Sequence, residues 1–351
     1  MKLVALPGLI DLHVHLRDPE LTYKEDFYTG SIAAISGGFT TIIDMPNNKN
    51  PIFTKKALDE KIRIARKKIT CNVGFYFGTN GENLSEFKKV KDKVLGLKVY
   101  MNETTGNFLI NWEKLEEIFK AWPSSGGPIL LHAEGEAIPF AIKVIKKIKK
   151  KTHFCHISLE KDLVKILKAK KLGLPITCGV TPHHLFLTKS DVKKLKGFGV
   201  MKPPLALKKD QDFLWKHIKD IDVIESDHAP HSLEEKKGKK PIFGVPGLES
   251  TLPLLLTKAS KGEMSIEDIV RLCYINPKKL LNLKTDSETK IIIDLDYKWT
   301  LLNKNLNTKC KWTPFHGRNV TGKIKEVYIK GKLVYKKDKI LAKKGTGKII
   351  S

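Results

Sequence analysis

Short apolar runs alternate with longer amphipathic segments along the first 230 residues of the chain. Eight runs are rich in β-branched or apolar residues, are bounded by turn residues and predict strands: LPGLIDLHVH, TTIIDMP, TCNVGFYFG, LGLKVYM, PILLHAE, THFCHIS, PITCGVTP and DVIESDHAP. Segments with helical spacing, such as TKKALDEKIRIARKK and EKDLVKILKAKK, separate them. Strand and helix repeated eight times predict parallel pairing, and the length favours a (β/α)8 TIM barrel over a doubly wound open sheet.

The pattern changes in the last part of the chain. The lysine-rich stretch HSLEEKKGKKPIFG is interpreted as a loop, and GLESTLPLLLTKAS and SIEDIVRLCYINPKKLL as helices that complete the barrel wall. Short alternating strands follow, in KIIIDLD, KEVYIKG and KLVYKK. We therefore expect a barrel over residues 1–288 and a small β appendage packed on it over residues 289–351.

The charge composition bears on whether the protein binds nucleic acids or membranes. Sixty-four Lys and Arg against 38 Asp and Glu give a net charge of +26, which raises the hypothesis of nucleic-acid or membrane binding. The lysines are dispersed over helical stretches such as IKVIKKIKKK, without interleaved aromatics, and this is typical of a solvated lysine-rich surface. We expect no nucleic-acid and no membrane partner.

The cysteines and the amino terminus indicate the cellular compartment of the protein. Five cysteines are an odd number without a CxxC pair, which indicates free thiols in a reducing environment. Charge and histidine interrupt the first apolar run too early for a signal peptide, and we find no apolar stretch of transmembrane length. A soluble, cytoplasmic protein is expected.

Polar residues stand at the ends of the predicted strands, where barrels build their active sites. They are His13, His15, Asn47, Lys98, His132, His156, His183 and Asp227. His13 and His15 are two residues apart on one strand, so both rings face the same side and suit one cation. For His183 a hydrogen-bonded barrel residue is an equal alternative.

Lys98 is the unusual member of this set, since an ammonium beside divalent cations is repelled and costly to desolvate. A neutral amine there could add carbon dioxide, and the resulting carbamate could bridge two metals as a carboxylate does. The alternative is a lysine that reaches the surface.

The motifs now resemble a known family. PGLIDLHVHLRDP, GGFTTIIDMPN, GLKVYMNET, LLHAEGE, CHIS, TPHHLFL, SDHAPH, GVPGLE and KWTPFHG are similar, in order, to the signature blocks of dihydroorotases in the cyclic amidohydrolase superfamily, above all the animal multifunctional type. The resemblance implies reversible, zinc-dependent closure of N-carbamoyl-L-aspartate to L-dihydroorotate in de novo pyrimidine (UMP) biosynthesis.

The resemblance also implies a ligand set. Two Zn2+ ions per subunit would be held, one by His13, His15 and Asp227 and the other by His132 and His156, and bridged by Lys98 as N6-carboxylysine. Asp227 would be the catalytic group that exchanges protons with the substrate.

Substrate-binding roles follow from the same motifs. Arg17 and Asn47 match residues that bind the α-carboxylate, and His231 matches a substrate-contacting histidine. Thr104 matches a loop that closes over substrate, and the backbone of Pro246 and Gly247 would face the ring. The alternatives are a loop salt bridge for Arg17, a turn asparagine for Asn47, a solvent-facing side chain for Thr104 and a simple turn for Pro246 and Gly247.

Three departures qualify the resemblance. Gly179 stands where animal-type members carry a glutamate that, with the cysteine matching Cys155, helps to hold a third zinc, so that third site is in doubt. Thr105 replaces a bulky aromatic of the closing loop, and Lys202 lies near a position that often carries arginine or asparagine.

Other functions compete with this interpretation. Dihydropyrimidinase (hydantoinase) and allantoinase use the same metals, but their neutral rings have no carboxylate for Arg17 and Asn47 to bind. An inactive dihydroorotase-like scaffold for aspartate carbamoyltransferase would usually have lost metal ligands. A homodimer and an association with aspartate carbamoyltransferase are both compatible with the resemblance.

Overall fold

The computed structural model describes residues 2–104 and 108–351. Its strands are β1 (Leu3–Pro7), β2 (Leu9–Val14), β3 (Phe39–Asp44), β4 (Asn72–Phe75), β5 (Phe77–Gly78), β6 (Leu97–Tyr100), β7 (Ile129–His132), β8 (Thr152–Phe154), β9 (Ile176–Val180), β10 (Val223–Ile224), β11 (Lys290–Thr300), β12 (Asn319–Ile329), β13 (Lys332–Lys336) and β14 (Lys339–Ile340).

The α-helices lie mostly between the strands. They are α1 (Phe27–Ser36), α2 (Lys55–Arg66), α3 (Phe87–Val90), α4 (Leu115–Ala121), α5 (Ala137–Ile148), α6 (Glu160–Lys171), α7 (Pro182–Phe186), α8 (Asp191–Leu195), α9 (Lys208–Lys216), α10 (Leu233–Lys237), α11 (Leu248–Ser260), α12 (Ile266–Val270) and α13 (Asn276–Leu280). One π-helical turn, Arg271–Ile275, joins the last two. None of the described helices is long and apolar enough to cross a membrane.

The parallel strands form the predicted barrel. One run of pairing is β2-β3-β4 and the other is β5-β6-β7-β8-β9-β10. The two join at Tyr76, between β4 and β5, whose N–H donates to Asp44 O at 3.1 Å. The ring closes where Val14 bridges His228 in parallel. All eight predicted runs contribute strands, the third one as the β4–β5 pair, so the (β/α)8 expectation is confirmed.

Two lysine-rich segments differ from the prediction, one in its secondary structure and both in the burial of a lysine. The HSLEEKKGKKPIFG stretch contains α10, because Ser232 caps it by accepting the Glu235 N–H at 3.3 Å. Lys236 in that helix is buried, and its Nζ donates to the carbonyl oxygens of Val200, Ile242 and Gly244. Lys61 on α2 is buried too. These two side chains are exceptions to the solvated lysine-rich surface that the sequence predicts.

The appendage is a five-stranded antiparallel sheet in the order β1-β11-β12-β13-β14. Its first strand comes from the amino terminus, where Leu3 pairs with Asp294 and Pro7 with Lys290. Sequence analysis did not separate this strand from the barrel run that follows it. Ile291 of β11 belongs to the same buried cluster as the barrel. The sheet therefore joins both ends of the chain, and the boundary after residue 288 stays a prediction.

Candidate active site

Histidine and aspartate side chains converge at the carboxyl ends of the barrel strands. His13 and His15 follow one another along the end of β2, and Asp227 lies just past β10. Asp227 Oδ1 is 3.3 Å from His13 Nε2 and 3.0 Å from His15 Nε2. All three side chains are buried. The alternation of the strand thus turns both rings towards one carboxylate.

A second pair of imidazoles lies beside the first. His132 ends β7, His156 follows β8, and His132 Nδ1 is 3.0 Å from His156 Nε2. The His13 and His156 ring centroids are 5.2 Å apart. Within the described part of the chain, the buried atom His156 Nδ1 has no hydrogen-bond partner, whereas His132 Nε2 lies 3.3 Å from Glu134 Oε1. Since a buried polar atom without a partner is costly, the His156 nitrogen is suited to a further ligand.

The protonation states favour cation binding. Burial lowers the pKa of His15 to about 3, and it also lowers the pKa of His132 and of His156. Burial opposes the ionisation of Asp227, but its contacts with His13 and His15 hold the pKa of that carboxyl well below its usual value. Neutral imidazoles beside an ionised carboxylate are the donor states that metal ions require.

The donor geometry fits a metal ion. His13, His156 and Asp227 each offer a ligand atom, and these atoms lie within 4.8 Å of one another. Nitrogen and carboxylate donors in this number suit zinc. Lys98 is the second residue of β6, not its end, and it is fully buried, so the alternative of a surface lysine is wrong. Its Nζ donates to Cys155 Sγ at 3.3 Å.

A narrow cleft opens over this cluster. Besides the histidines and Asp227 its walls include Arg17, Asn47, Tyr100, Thr104 and Lys202. Asn47 Oδ1 is 2.5 Å from His15 Nδ1, which directs the other nitrogen of that ring towards Asp227. Arg17 is almost fully buried and has a left-handed backbone, with φ of 64°. The structure thus brings a guanidinium and an amide together with the candidate ligands.

His231 supports Arg17 rather than lining the cleft. Its Nε2 is 3.0 Å from an Arg17 Nη atom, and its Nδ1 is 3.2 Å from Lys24 Nζ and 3.3 Å from Glu235 Oε2. Arg17 also donates from Nε to Pro230 O at 3.2 Å. These contacts place the guanidinium in one orientation.

Several residues that were predicted to belong to the site do not line the cleft. Pro246 and Gly247 line a separate hollow with His228, and the Gly247 N–H donates to His228 Nδ1 at 3.2 Å. His183 is buried against His184, with ring centroids 4.5 Å apart, and is not among the residues that line the cleft. Thr105 falls outside the described residues.

Sequence reasoning missed Glu225, which lies directly behind the cluster. It is completely buried, and its Oε1 accepts the His156 N–H at 2.6 Å while Oε2 is 3.2 Å from His13 Nδ1. Burial opposes its ionisation, but the contacts with His13 and His153 bring the pKa of Glu225 below its ordinary value. The sequence signal that could have identified it is an acidic residue in the predicted strand run DVIESDHAP, two positions before Asp227.

Comparisons with known proteins agree with this geometry. The Amidohydrolase family matches residues 4–334. The chain is 38% identical over 351 residues to the Multifunctional protein CAD of Squalus acanthias, covering 99% of this chain but only 16% of that protein. It is also 38% identical to the dihydroorotase of Pyrococcus horikoshii, covering 97% of this chain and 83% of that enzyme. Among solved structures, an L-hydantoinase (dihydropyrimidinase) from Arthrobacter aurescens superposes with a TM-score of 0.94 at 26% identity, covering 98% of this chain and 88% of that one.

Proposed function

This chain belongs to the amidohydrolase family, and from that premise we propose that it is a dihydroorotase, which interconverts N-carbamoyl-L-aspartate and L-dihydroorotate in pyrimidine biosynthesis. The observation that carries the proposal is the placement of a buried arginine, Arg17, in the same cleft as the cluster around Asp227. The cluster suits hydrolysis of an amide, and the arginine suits a substrate that bears a carboxylate.

The donor set motivates a metal assignment. We propose that His13, His15 and Asp227 would hold one zinc ion, that His132 and His156 would hold a second, and that Lys98, carboxylated on Nζ, would supply a shared carboxylate ligand. When bound, such ions lower the pKa of a water molecule and polarise an amide carbonyl.

The chain's own groups bind and orient the substrate. Arg17 offers a planar fork of N–H donors for the α-carboxylate. Its contacts with His231 and Pro230 restrict the guanidinium before substrate arrives, which reduces the entropy lost on binding. Asn47 engages its Oδ1 with His15, so its amide hydrogens are available to the same carboxylate. Lys202 contributes a further positive charge to the cleft wall.

Asp227 moves the protons. Its carboxyl group is ionised in the free site, so Oδ1 can accept a proton from the attacking water during hydrolysis and deliver it to the departing ring nitrogen. In the biosynthetic direction it removes a proton from the ureido nitrogen. Burial of the surrounding histidines keeps bulk water from competing for this proton.

A hydantoinase or dihydropyrimidinase is the second candidate, because the L-hydantoinase superposes over 98% of this chain. The two functions differ in what Arg17 does, since a hydantoin or dihydropyrimidine ring has no carboxylate. An inactive scaffold has less support, because every implied ligand is present in the chain.

Substrate assays on the purified full chain separate these candidates. We expect hydrolysis of L-dihydroorotate and none of dihydrouracil, hydantoin or allantoin. Arg17→Met should raise the KM for dihydroorotate by about 100-fold or more, since a charge-assisted bidentate contact is lost. Arg63→Met is the matched control, because Arg63 is exposed on α2 and pairs with Glu60 at the surface. Turnover of the neutral rings alone would refute the assignment.

Partners and location are also proposals. We propose a homodimer, an association with aspartate carbamoyltransferase and a cytoplasmic location, the last because all five cysteines are buried free thiols. Sedimentation velocity of the chain, alone and mixed with the carbamoyltransferase, tests the first two. Despite the net charge of +26, we expect no duplex binding at physiological salt, because the lysines are dispersed over helices without interleaved aromatic residues.

A further inference from the structure

Glu225 connects the two halves of the candidate metal site. One carboxylate oxygen accepts the backbone N–H of His156 at 2.6 Å, and the other lies 3.2 Å from Nδ1 of His13. His153 Nε2 is 3.6 Å from the same Oε2. His156 has a left-handed backbone, with φ of 40°, which a residue with a side chain adopts only where its surroundings hold it. The short bond from Glu225 to its amide is one such restraint.

Gly179 makes room for this carboxylate. Gly179 lies on β9 and pairs with Val223 of β10, two residues before Glu225. A Cβ atom at position 179 would lie 2.4 Å from Glu225 Oε1, which real Cβ contacts do not reach. Any residue larger than glycine would displace the carboxylate. The glycine at 179 and the glutamate at 225 therefore form one structural unit across two neighbouring strands.

We propose that Glu225 is a positioning residue for the metal ligands His13 and His156. By accepting the Nδ1–H of His13 it selects the tautomer whose Nε2 carries the free lone pair, and that nitrogen already faces Asp227 at 3.3 Å. By accepting the His156 N–H it fixes the backbone of a ligand in the other half of the site. Carboxylate partners of this kind raise the metal affinity of histidine ligands. The inference rests on the metal-dependent function proposed above.

The alternative role for Glu225 is as a ligand of a third metal ion. His13, Cys155 and Glu225 offer ligand atoms within 4.8 Å of one another. A metal there would take the place of the hydrogen bond between His13 and Glu225. The hydrogen bond is favoured because both oxygens of Glu225 already have donors at bonding distance.

Metal titration of the full chain tests the proposal. Apoprotein is titrated with Zn2+ against a chromophoric chelator and with Co2+ followed by its visible absorption. Glu225→Gln keeps the shape of the side chain, but its amide group cannot accept from both donors. We expect the variant to bind the metals roughly 10- to 100-fold more weakly and to show an altered Co2+ spectrum. Glu249→Gln is the matched control, because Glu249 also accepts two backbone N–H groups, those of Asn307 and Thr308, away from the cluster.

Two measurements on the wild-type chain keep the proposal falsifiable if the variant does not fold. Nitrogen-15 NMR of the apoprotein should show His13 protonated on Nδ1, and protonation on Nε2 instead would overturn the proposal. Elemental analysis should give two metals per chain, and a third would assign Glu225 to metal binding instead. If the chain binds no metal at all, the proposed function fails; if it binds metal and Glu225→Gln binds it equally well, only this inference fails.

Discussion

Lys61 allows the packing behind the active site to be tested quantitatively. Its side chain is 1% exposed, and Nζ lies 2.7 Å from Asp44 Oδ2. The same nitrogen donates to Met45 O at 2.8 Å and to Asn48 Oδ1 at 2.9 Å. Asp44 Oδ1 in turn accepts the Leu16 N–H at 2.8 Å, next to Arg17. The ion pair thus ties α2 to the chain segment that carries the substrate-binding arginine.

Replacing Lys61 with methionine keeps most of the volume and removes the charge. Asp44 then remains buried without its cation, and breaking a buried pair in this way costs about 3–5 kcal/mol. Burial already raises the pKa of Asp44, and loss of Lys61 raises it further. The native variant therefore binds a proton at pH values at which the unfolded chain, with its ordinary pKa of 3.8, has released it. Part of the lost stability is recovered as the pH is lowered towards 3.8, because the folded state takes up this proton first.

Equilibrium unfolding in urea, followed by the fluorescence of the five tryptophans, measures this difference. Lys55→Met is the matched control, since Lys55 lies on the same helix and pairs with Asp59 in solvent, where we expect no measurable change. In Lys61→Met/Asp44→Asn the buried charge is absent, so part of the stability should return. A loss below about 1 kcal/mol for Lys61→Met, or equal losses for the two lysines, would show that the buried ion pair does not stabilise the fold in this way.

Three further predictions concern the site and the pH. Asp227→Asn cannot accept a proton, so kcat for dihydroorotate should fall by about 10²- to 10⁴-fold, and an unchanged kcat would exclude the assigned role. Lys98→Ala should lose bound zinc in elemental analysis together with nearly all activity, with partial rescue by short carboxylic acids; an unimpaired variant contradicts the bridging role. Burial lowers the pKa of His184 from 6.5 to about 4. As the pH drops through that range, the unfolded chain binds a proton before the folded protein does, so the free energy of unfolding falls by at most about 3 kcal/mol. The urea midpoint of His184→Gln should then depend less on pH than that of the wild type, and identical slopes would argue against this origin.

Much of the barrel was predictable because each element carries its own periodic signal. The segment EKDLVKILKAKK coincides with α6, and each apolar run bounded by turn residues became a strand. Such patterns depend only on the neighbours of each residue along the chain. The residues that line the cleft could likewise be predicted from position, since His13, His132 and Asp227 stand at the ends of apolar runs.

The remaining features depend on contacts between distant residues. Lys61 and Lys236 have the same local pattern as exposed lysines, and only their packing against carbonyl and carboxylate oxygens shows that they are buried. Pro246 and Gly247 have a turn sequence that does not say which side of the barrel wall they face. The β1–β11 pairing joins residues almost 290 positions apart, which no local signal indicates.

The sequence by itself therefore determined the order of strands and helices and the residue types at the strand ends, because periodicity and chain direction are local properties. Tertiary structure alone decided which polar groups became partners. Gly179 and Glu225 show the difference, since a missing side chain on one strand makes room for a carboxylate from the next. That complementarity exists only after β9 and β10 lie side by side, and with it comes the hydrogen bond that orients His13.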